Sequence, residues 1–172
     1  MKEYDFSIDN RLSALQVNDI VVTYVNSGTS QNKLTWAILG GKTFLDKMPG
    51  STLDFVSAGQ QGIPKKSVIH LADFLNIPLK EVASLLNISY KTLGRKKPLE
   101  RMDTLSSSLS IEIASTMARG YMVFENAEKF NRWLHKKNKA LEGKTPYELL
   151  NTPTGINIVN KLLTRIEEGV YT

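Results

Sequence analysis

The side chains that most often carry out catalysis are scarce in this sequence. Among its 172 residues there is no cysteine, and the two histidines are His70 and His135. Without cysteine the chain has no thiol nucleophile, no disulfide and no sulfur ligand for zinc, and two histidines do not supply a metal-ligand set. We therefore expect no catalytic residue and no metal site, and we interpret both histidines as packing or surface residues.

Two pairs of glutamates, Glu125 with Glu128 and Glu167 with Glu168, are the remaining candidates for acid–base chemistry. On a helix the adjacent pair would point to diverging faces, and the other pair, one turn apart, has no metal partner near it. The sequence also lacks the Gly-x-x-x-x-Gly-Lys and Gly-x-Gly-x-x-Gly loops that hold nucleotide phosphates. These features argue against an enzyme and against a nucleotide cofactor, so we expect no cofactor.

The whole chain has a formal net charge of +5, and its basic residues are concentrated in the last two-thirds. Residues 1–57 hold five Lys/Arg against six Asp/Glu, residues 58–117 hold eight against five, and residues 118–172 hold nine against six. The densest cluster comprises Lys91, Arg95, Lys96, Lys97 and Arg101. Such a cluster is typical of a surface that contacts nucleic-acid phosphates, although a solvated helix end has the same composition.

The composition, with 41% hydrophobic and 23% charged residues, is that of a protein that buries a core. At roughly 100 to 200 residues per domain, the length fits one domain or two small ones. No apolar run reaches the roughly 18 residues that a membrane-spanning helix needs, and the start of the sequence lacks the layout of a signal peptide. We expect a cytoplasmic protein that contacts no membrane.

Helices must position these candidate surfaces, because from residue 53 onward apolar residues recur at helical spacing between short breaks. The predicted helices span residues 53–58, 65–76, 78–86, 90–96, 107–124, 127–134 and 146–150, and a last one begins at 152 and ends before Gly169. Upstream, residues 34–39 are a short helical candidate, and the β-branched stretch 17–25 is either a strand or part of a helix. The predicted fold is mainly all-α.

Residues 83–93 fit a helix-turn-helix, the two-helix unit that many proteins dock into the DNA major groove. Ala83 is small enough for the helices to approach, Asn87 can adopt the left-handed backbone of the turn, and Ser89 can cap the second helix. Glycine is the commoner residue at position 87. The predicted DNA contacts are Ser89, Tyr90, Lys91, Thr92, Arg95, Lys96 and Lys97. Alternatively, this unit is a scaffold or a dimer interface whose lysines are merely solvated.

The end of the chain contains a combination of residue types that is hard to obtain by chance. It comprises Ala127, Trp133-Leu134, Asn138, Ala140-Leu141, Gly143-Lys144-Thr145-Pro146, Leu149-Leu150, Thr152, Gly155, Val159, Leu162-Leu163, Arg165-Ile166 and Gly169-Val170. Together with the helix-turn-helix, this pattern makes the chain from Ile63 to Thr172 similar to the Xre/MbcA/ParS-type antitoxins of bacterial type II toxin–antitoxin systems. It departs from them at Lys137, where proline is usual, and at Lys91, where arginine is common.

The resemblance implies an Xre-like helix-turn-helix followed by a small helical toxin-binding domain. It divides the chain into residues 1–52, whose role is not assigned, a helix-turn-helix domain at 53–117 and a toxin-binding domain at 118–172. We interpret Trp133, Pro146, Gly155 and Gly169 as determinants of the fold and not as contacts.

The resemblance also implies that the protein binds and neutralises a RES-type toxin, a class that resembles ADP-ribosyltransferases and depletes NAD, and that it represses its own operon by binding operator DNA. The last helix and the tail would then cover the active-site cleft of the toxin. The predicted toxin contacts are Thr154, Asn157, Arg165, Glu167, Glu168 and Tyr171. The alternative is a stand-alone helix-turn-helix regulator without a toxin partner. Either function favours a two-fold homodimer, because paired DNA half-sites accompany isologous interfaces.

Overall fold

The computed structural model describes residues 30–170, and within that range it contains eight α-helices and no strand. The helices are α1 (Gln31–Ile38), α2 (Thr52–Gln61), α3 (Lys65–Leu75), α4 (Leu79–Leu85), α5 (Tyr90–Arg95), α6 (Thr104–Phe124), α7 (Ala127–Leu134) and α8 (Pro153–Glu167). Short 3₁₀ turns lie at Gly41–Thr43, Lys139–Leu141 and Tyr147–Leu149. The prediction of a mainly all-α fold is confirmed, whereas the predicted element at 17–25 lies outside the described residues.

Helix α6 is the element around which the other helices are arranged. Helices α1 and α2 pack on it from the N-terminal half, and α7 and α8 pack on it from the C-terminal half. Its small residues allow this close approach: a Cβ atom at Gly120 would lie 2.1 Å from the Phe130 ring. One hydrophobic core therefore extends along the chain from Leu34 to Leu163.

The predicted domain boundary between residues 117 and 118 falls inside α6. Met117 and Ala118 are both buried in the same hydrophobic core. Leu34 and Phe44, which belong to the segment without an assigned role, are buried in that core as well. The described part of the chain thus shares one core across both predicted boundaries, and α6 is common to the two predicted domains.

Side-chain caps explain where several helices begin and end. Helix α6 begins at 104, three residues earlier than predicted, because the Asp103 carboxylate accepts a hydrogen bond from the Ser106 amide at 2.9 Å. The predicted cap of the last helix is confirmed, since Thr152 Oγ1 accepts from the Gly155 amide at 3.1 Å. Gly169 adopts the expected left-handed backbone with φ of 72°. The predicted helix at 146–150 is instead the 3₁₀ turn Tyr147–Leu149.

Helix α2 also differs from its prediction, because it continues to Gln61 and ends only at Gly62, where φ is 83°. No helix within residues 30–170 is both long and apolar enough to cross a membrane. In the same part of the chain, no three His, Asp or Glu side chains are grouped where they could hold a metal ion.

Candidate functional site

Helices α4 and α5 and the turn between them have the local geometry that the helix-turn-helix prediction requires. They carry the basic candidate surface, which comprises the predicted DNA contacts at 89–92 and 95–97. Asn87 adopts the left-handed backbone with φ of 56°, and Ala83 is buried where the two helices meet. Ser89 Oγ accepts a hydrogen bond from the Thr92 amide at 2.9 Å and caps α5. Leu93 is fully buried, so α5 is anchored by its apolar side. These residue conformations agree with the predictions for positions 83, 87 and 89.

Most of the predicted DNA contacts lie exposed on the outer side of α5 and just after it. The exposed members are Ser89, Tyr90, Lys91, Thr92, Arg95 and Lys97. The helix ends at Arg95, one residue earlier than predicted, and its six residues form fewer than two turns. Gly94 faces open space, because an added Cβ would have no atom within 4 Å. The structure therefore brings six of the seven residues together on one accessible surface.

Lys96 differs from the other six residues because its ammonium group is engaged within the chain. Its Nζ donates to Glu100 Oε1 at 2.9 Å and to the Arg101 carbonyl at 2.8 Å. The hydrogen bond from Lys96, and then one from the Lys97 amide, lower the pKa of the Glu100 carboxyl. Lys96 would have to break this ion pair to contact a phosphate, so its primary role in the structure is to hold the chain segment that follows α5.

Lys65 supports the end of α5, a role that the sequence did not indicate. Its side chain is buried, and its Nζ donates to the carbonyls of Gly94 at 3.3 Å and Lys96 at 2.8 Å. A cation at this position satisfies carbonyls that the short helix leaves free at its C-terminus. The helical pattern around Lys65 did not indicate a partner about thirty residues away, because only the fold brings the two segments together.

The C-terminal candidate surface is built on α8, which close packing holds in place. A Cβ atom at Gly155 would lie 2.0 Å from the Leu149 carbonyl oxygen, so only glycine allows the first turn of α8 to approach the 3₁₀ turn before it. Pro146 is buried, and the Trp133 ring lies 5.4 Å from Phe124. These contacts agree with the interpretation of Trp133, Pro146 and Gly155 as determinants of the fold.

One exposed stripe, formed by α8 and its C-cap residue, gathers four of the predicted toxin contacts, namely Thr154, Asn157, Arg165 and Glu168. Two residues that the sequence reasoning missed share this stripe: Ile158, whose relative exposure is 40%, and Lys161. Their helical spacing from Thr154 was the available signal, since positions three, four and seven residues apart share a face. Tyr171 lies outside the described residues.

Glu167 lies on a different side of α8 and is engaged with α6. Its Oε2 accepts from the Arg119 guanidinium at 3.1 Å, and the same guanidinium donates to Thr164 Oγ1 at 2.9 Å. Asn160 adds a hydrogen bond of 3.0 Å to Thr116 Oγ1. The first contribution of Glu167 is therefore to orient α8 on α6, and the sequence did not reveal this because its partner is distant in the chain.

Two hydrogen bonds join the α4–α5 unit to the segment that leads into α8. Asn87 Nδ2 donates to the Asn151 carbonyl at 2.8 Å, and the Tyr147 hydroxyl donates to Glu81 Oε1 at 2.7 Å. Burial, and then the neighbouring Glu81 carboxylate, raise the pKa of Tyr147 above its usual value. A cleft of about 220 Å³ lies at this junction. The basic surface and the α8 surface are thus parts of one connected framework.

The two histidines lie away from both candidate surfaces. His70 packs against the backbone of Gly40, where an added Cβ would lie 2.2 Å from the imidazole Cδ2. Burial, and then the charge of Lys66, lower its pKa. His135 is exposed, with its ring 4.8 Å from that of Tyr147. Both positions agree with the interpretation as packing and surface residues.

Comparison with known proteins bears on the C-terminal half. Residues 119–169 match the family model of the antitoxin Xre/MbcA/ParS C-terminal toxin-binding domain. This part of the chain is an Xre/MbcA/ParS toxin-binding domain. The matched range begins inside α6, at Arg119, and contains α7 and α8.

The toxin-binding domain belongs to an antitoxin family and not to an enzyme family. It supports a role for the chain as the antitoxin of a toxin–antitoxin system and implies a toxin as its partner. No curated protein matches the chain. The exposed stripe of α8 and the Arg119 contacts that orient it both lie within the matched residues.

Proposed function

We propose that this antitoxin neutralises a cognate RES-type, NAD-depleting toxin by binding it with the exposed stripe of α8. The observation that carries the proposal is that the stripe lies within the toxin-binding domain and combines an exposed apolar residue, Ile158, with Lys161 and Arg165. A partly exposed apolar residue surrounded by polar ones is a common arrangement at protein interfaces. The RES type of the partner follows from the resemblance of the sequence.

The fixed position of α8 favours tight binding. The Arg119 contacts to Thr164 and Glu167 and the close approach at Gly155 hold the helix before a partner arrives. A surface that is already ordered loses less conformational entropy on association than a mobile one. We expect the toxin to bind without rearrangement of α8, with its active-site cleft covered by this helix.

We also propose that the protein binds operator DNA through α5 and represses its own operon. The proposal is supported by the exposed side chains Lys91, Thr92, Arg95 and Lys97 on the outer side of the capped helix. Lysine and arginine there would contact phosphates and fix the register, while Thr92 and Tyr90 would reach toward bases. A stand-alone regulator would share this surface, and the presence of a toxin partner separates the two functions.

The test is to express the open reading frame adjacent to the gene of this antitoxin in a bacterial host, with and without the antitoxin. We expect the neighbour alone to stop growth and lower cellular NAD, and we expect the antitoxin to restore both. Growth arrest at constant NAD would contradict the RES type but not the antitoxin role. A harmless neighbour would favour the stand-alone regulator.

A further inference from the structure

The loop that follows α7, residues 135–145, carries four exposed lysines that belong neither to the α5 surface nor to the α8 stripe. These residues of the lysine loop are Lys136, Lys137, Lys139 and Lys144. Within residues 30–170 none of the four forms an ion pair. We propose that the lysine loop contacts DNA phosphates beside the groove that α5 enters, so that the toxin-binding domain adds a second DNA contact. This inference rests on the proposed DNA binding by α5.

Hydrogen bonds within the lysine loop hold its charged residues close to one another. The Asn138 amide donates to the Lys144 carbonyl at 3.0 Å, and the Gly143 amide donates to the Asn138 carbonyl at 3.0 Å. Lys144 therefore lies beside the residues on either side of Asn138. The buried side chain of Leu141 anchors the loop to the domain. A loop that is already ordered loses little conformational entropy when it binds a partner.

The carboxylate of Glu148 shows that two of the lysines converge. Hydrogen bonds from Thr145, and then the charges of Lys137 and Lys144, lower the pKa of the Glu148 carboxyl. Both ammonium groups are therefore close enough to the same carboxylate to act on its charge, although neither closes an ion pair with it. The two lysines form one cluster and not two separate charges.

The local charge stays positive when the neighbouring acids are counted. Residues 135–148 hold four lysines against two acids, Glu142 and Glu148, which is a formal excess of +2. The adjoining residues Lys80 and Glu81 of α4 leave this excess unchanged. An excess of exposed lysine charge attracts the phosphates of nucleic acid. The excess is small, so we expect the loop to support the contact made by α5 and not to replace it.

The lysine loop lies next to α4, the first helix of the predicted helix-turn-helix. The His135 ring lies 4.8 Å from the Tyr147 ring, and the Tyr147 hydroxyl donates to Glu81 Oε1 on α4 at 2.7 Å. When a helix-turn-helix binds DNA, its first helix crosses the phosphate backbone while the second lies in the major groove. A basic loop beside α4 is therefore placed next to the backbone, which favours DNA over an acidic protein as the partner.

The test compares the full-length variant Lys137→Gln/Lys144→Gln with a matched control, Lys42→Gln/Lys47→Gln. Each variant removes two exposed lysines and therefore the same net charge, but the control lysines lie between α1 and α2. Fluorescence anisotropy at several salt concentrations measures binding to the DNA upstream of the gene. We expect the loop variant to lower the salt slope by about one to two units, because each lost phosphate contact removes about 0.9. The control should keep the wild-type slope.

The outcomes separate the lysine loop from the proposed DNA binding by α5. A wild-type slope in the loop variant, or an equal loss in the loop variant and the control, would overturn the inference. If Arg95→Ala lowers the slope and the loop variant does not, DNA binding by α5 stands and only the loop contact is refuted. If the wild type does not bind this DNA, the proposed DNA binding fails and the loop contact fails with it. Weaker toxin binding by the loop variant, at an unchanged DNA slope, would assign the lysines to the toxin instead.

A tethered cleavage reagent gives a second measurement, because the sequence contains no cysteine of its own. In Lys144→Cys the new thiol is the single attachment point for an iron–EDTA complex, which cuts DNA backbone close to it. We expect this labelled protein to cut the bound DNA at discrete positions, and we expect labelled Lys47→Cys to cut no more than background. Absence of cutting by labelled Lys144→Cys on DNA that it still binds would refute the contact.

Discussion

At the scale of single residues, short-range contacts decide which substitutions this protein tolerates. Gly155 and Gly94 both lie in helices, yet a Cβ at the first would lie 2.0 Å from a backbone carbonyl and a Cβ at the second would have no atom within 4 Å. The same chemical change therefore has opposite consequences at the two sites. Sequence composition alone does not distinguish them.

We expect Gly155→Ala to lower the free energy of unfolding by about 1–3 kcal/mol, because α8 must move away from Leu149. We expect Gly94→Ala to leave it unchanged or raise it by up to about 1 kcal/mol, since alanine is the better helix former. Urea unfolding followed by circular dichroism measures both. Equal effects of the two substitutions would contradict the close approach at Gly155.

Ile158 provides the residue-scale test of toxin binding. Ile158→Asp places a charge on the exposed stripe of α8, and we expect it to weaken toxin binding about tenfold or more by desolvating an unpaired carboxylate. Met122→Asp is the matched control, because Met122 lies in the same matched domain and has a relative exposure of 37% against 40% for Ile158. Isothermal titration calorimetry with the purified toxin measures both variants. Comparable losses for the two would argue against the α8 stripe.

At the scale of elements, the sequence predicted what depends on neighbours along the chain. The caps at Ser89 and Thr152 and the left-handed turn at Asn87 follow from local backbone chemistry, and the structure contains all three. The sequence did not indicate the partners of Lys65, Lys96 and Glu167. The partners of Lys65 and of Glu167 lie far from them in the sequence. In the sequence these three look like ordinary charged residues, because their partners approach them only in the folded chain.

Lys65 tests how α5 is held. We expect Lys65→Met to lower the free energy of unfolding by about 1–2 kcal/mol, because the carbonyls of Gly94 and Lys96 lose their donor. Arg95→Ala should instead leave the stability unchanged and reduce the salt dependence of DNA binding by about one unit of slope. Thermal unfolding and fluorescence anisotropy at several salt concentrations separate the two effects. A Lys65→Met variant as stable as the wild type would remove the proposed support.

At the scale of the whole molecule, α6 belongs to both of the domains that were predicted from the sequence at 53–117 and 118–172. Its buried residues include small side chains on several faces, so helices from both halves pack against it. A helix that is buried over most of its circumference has a weak amphipathic pattern, which is why periodicity did not show that both halves share it. The predicted boundary at 117 followed from the family resemblance and falls where the structure has a continuous core.

The shared core predicts a single unfolding transition. The two tryptophans, Trp36 on α1 and Trp133 on α7, report on the two ends of the core. In Trp36→Phe and in Trp133→Phe, we expect the fluorescence of the remaining tryptophan to change at the same urea concentration as the circular dichroism signal. Transitions that separate in either variant would show two independently folding units.

The sharing of α6 also bears on how long the protein would act in a cell. A protease that reaches α6 must open the core beneath both the proposed DNA surface and the proposed toxin-binding helix. The proposed DNA binding and the proposed toxin binding would then be lost in the same event. One half-life would set both proposed activities, so under the proposed autorepression new synthesis would begin when the proposed protection ends.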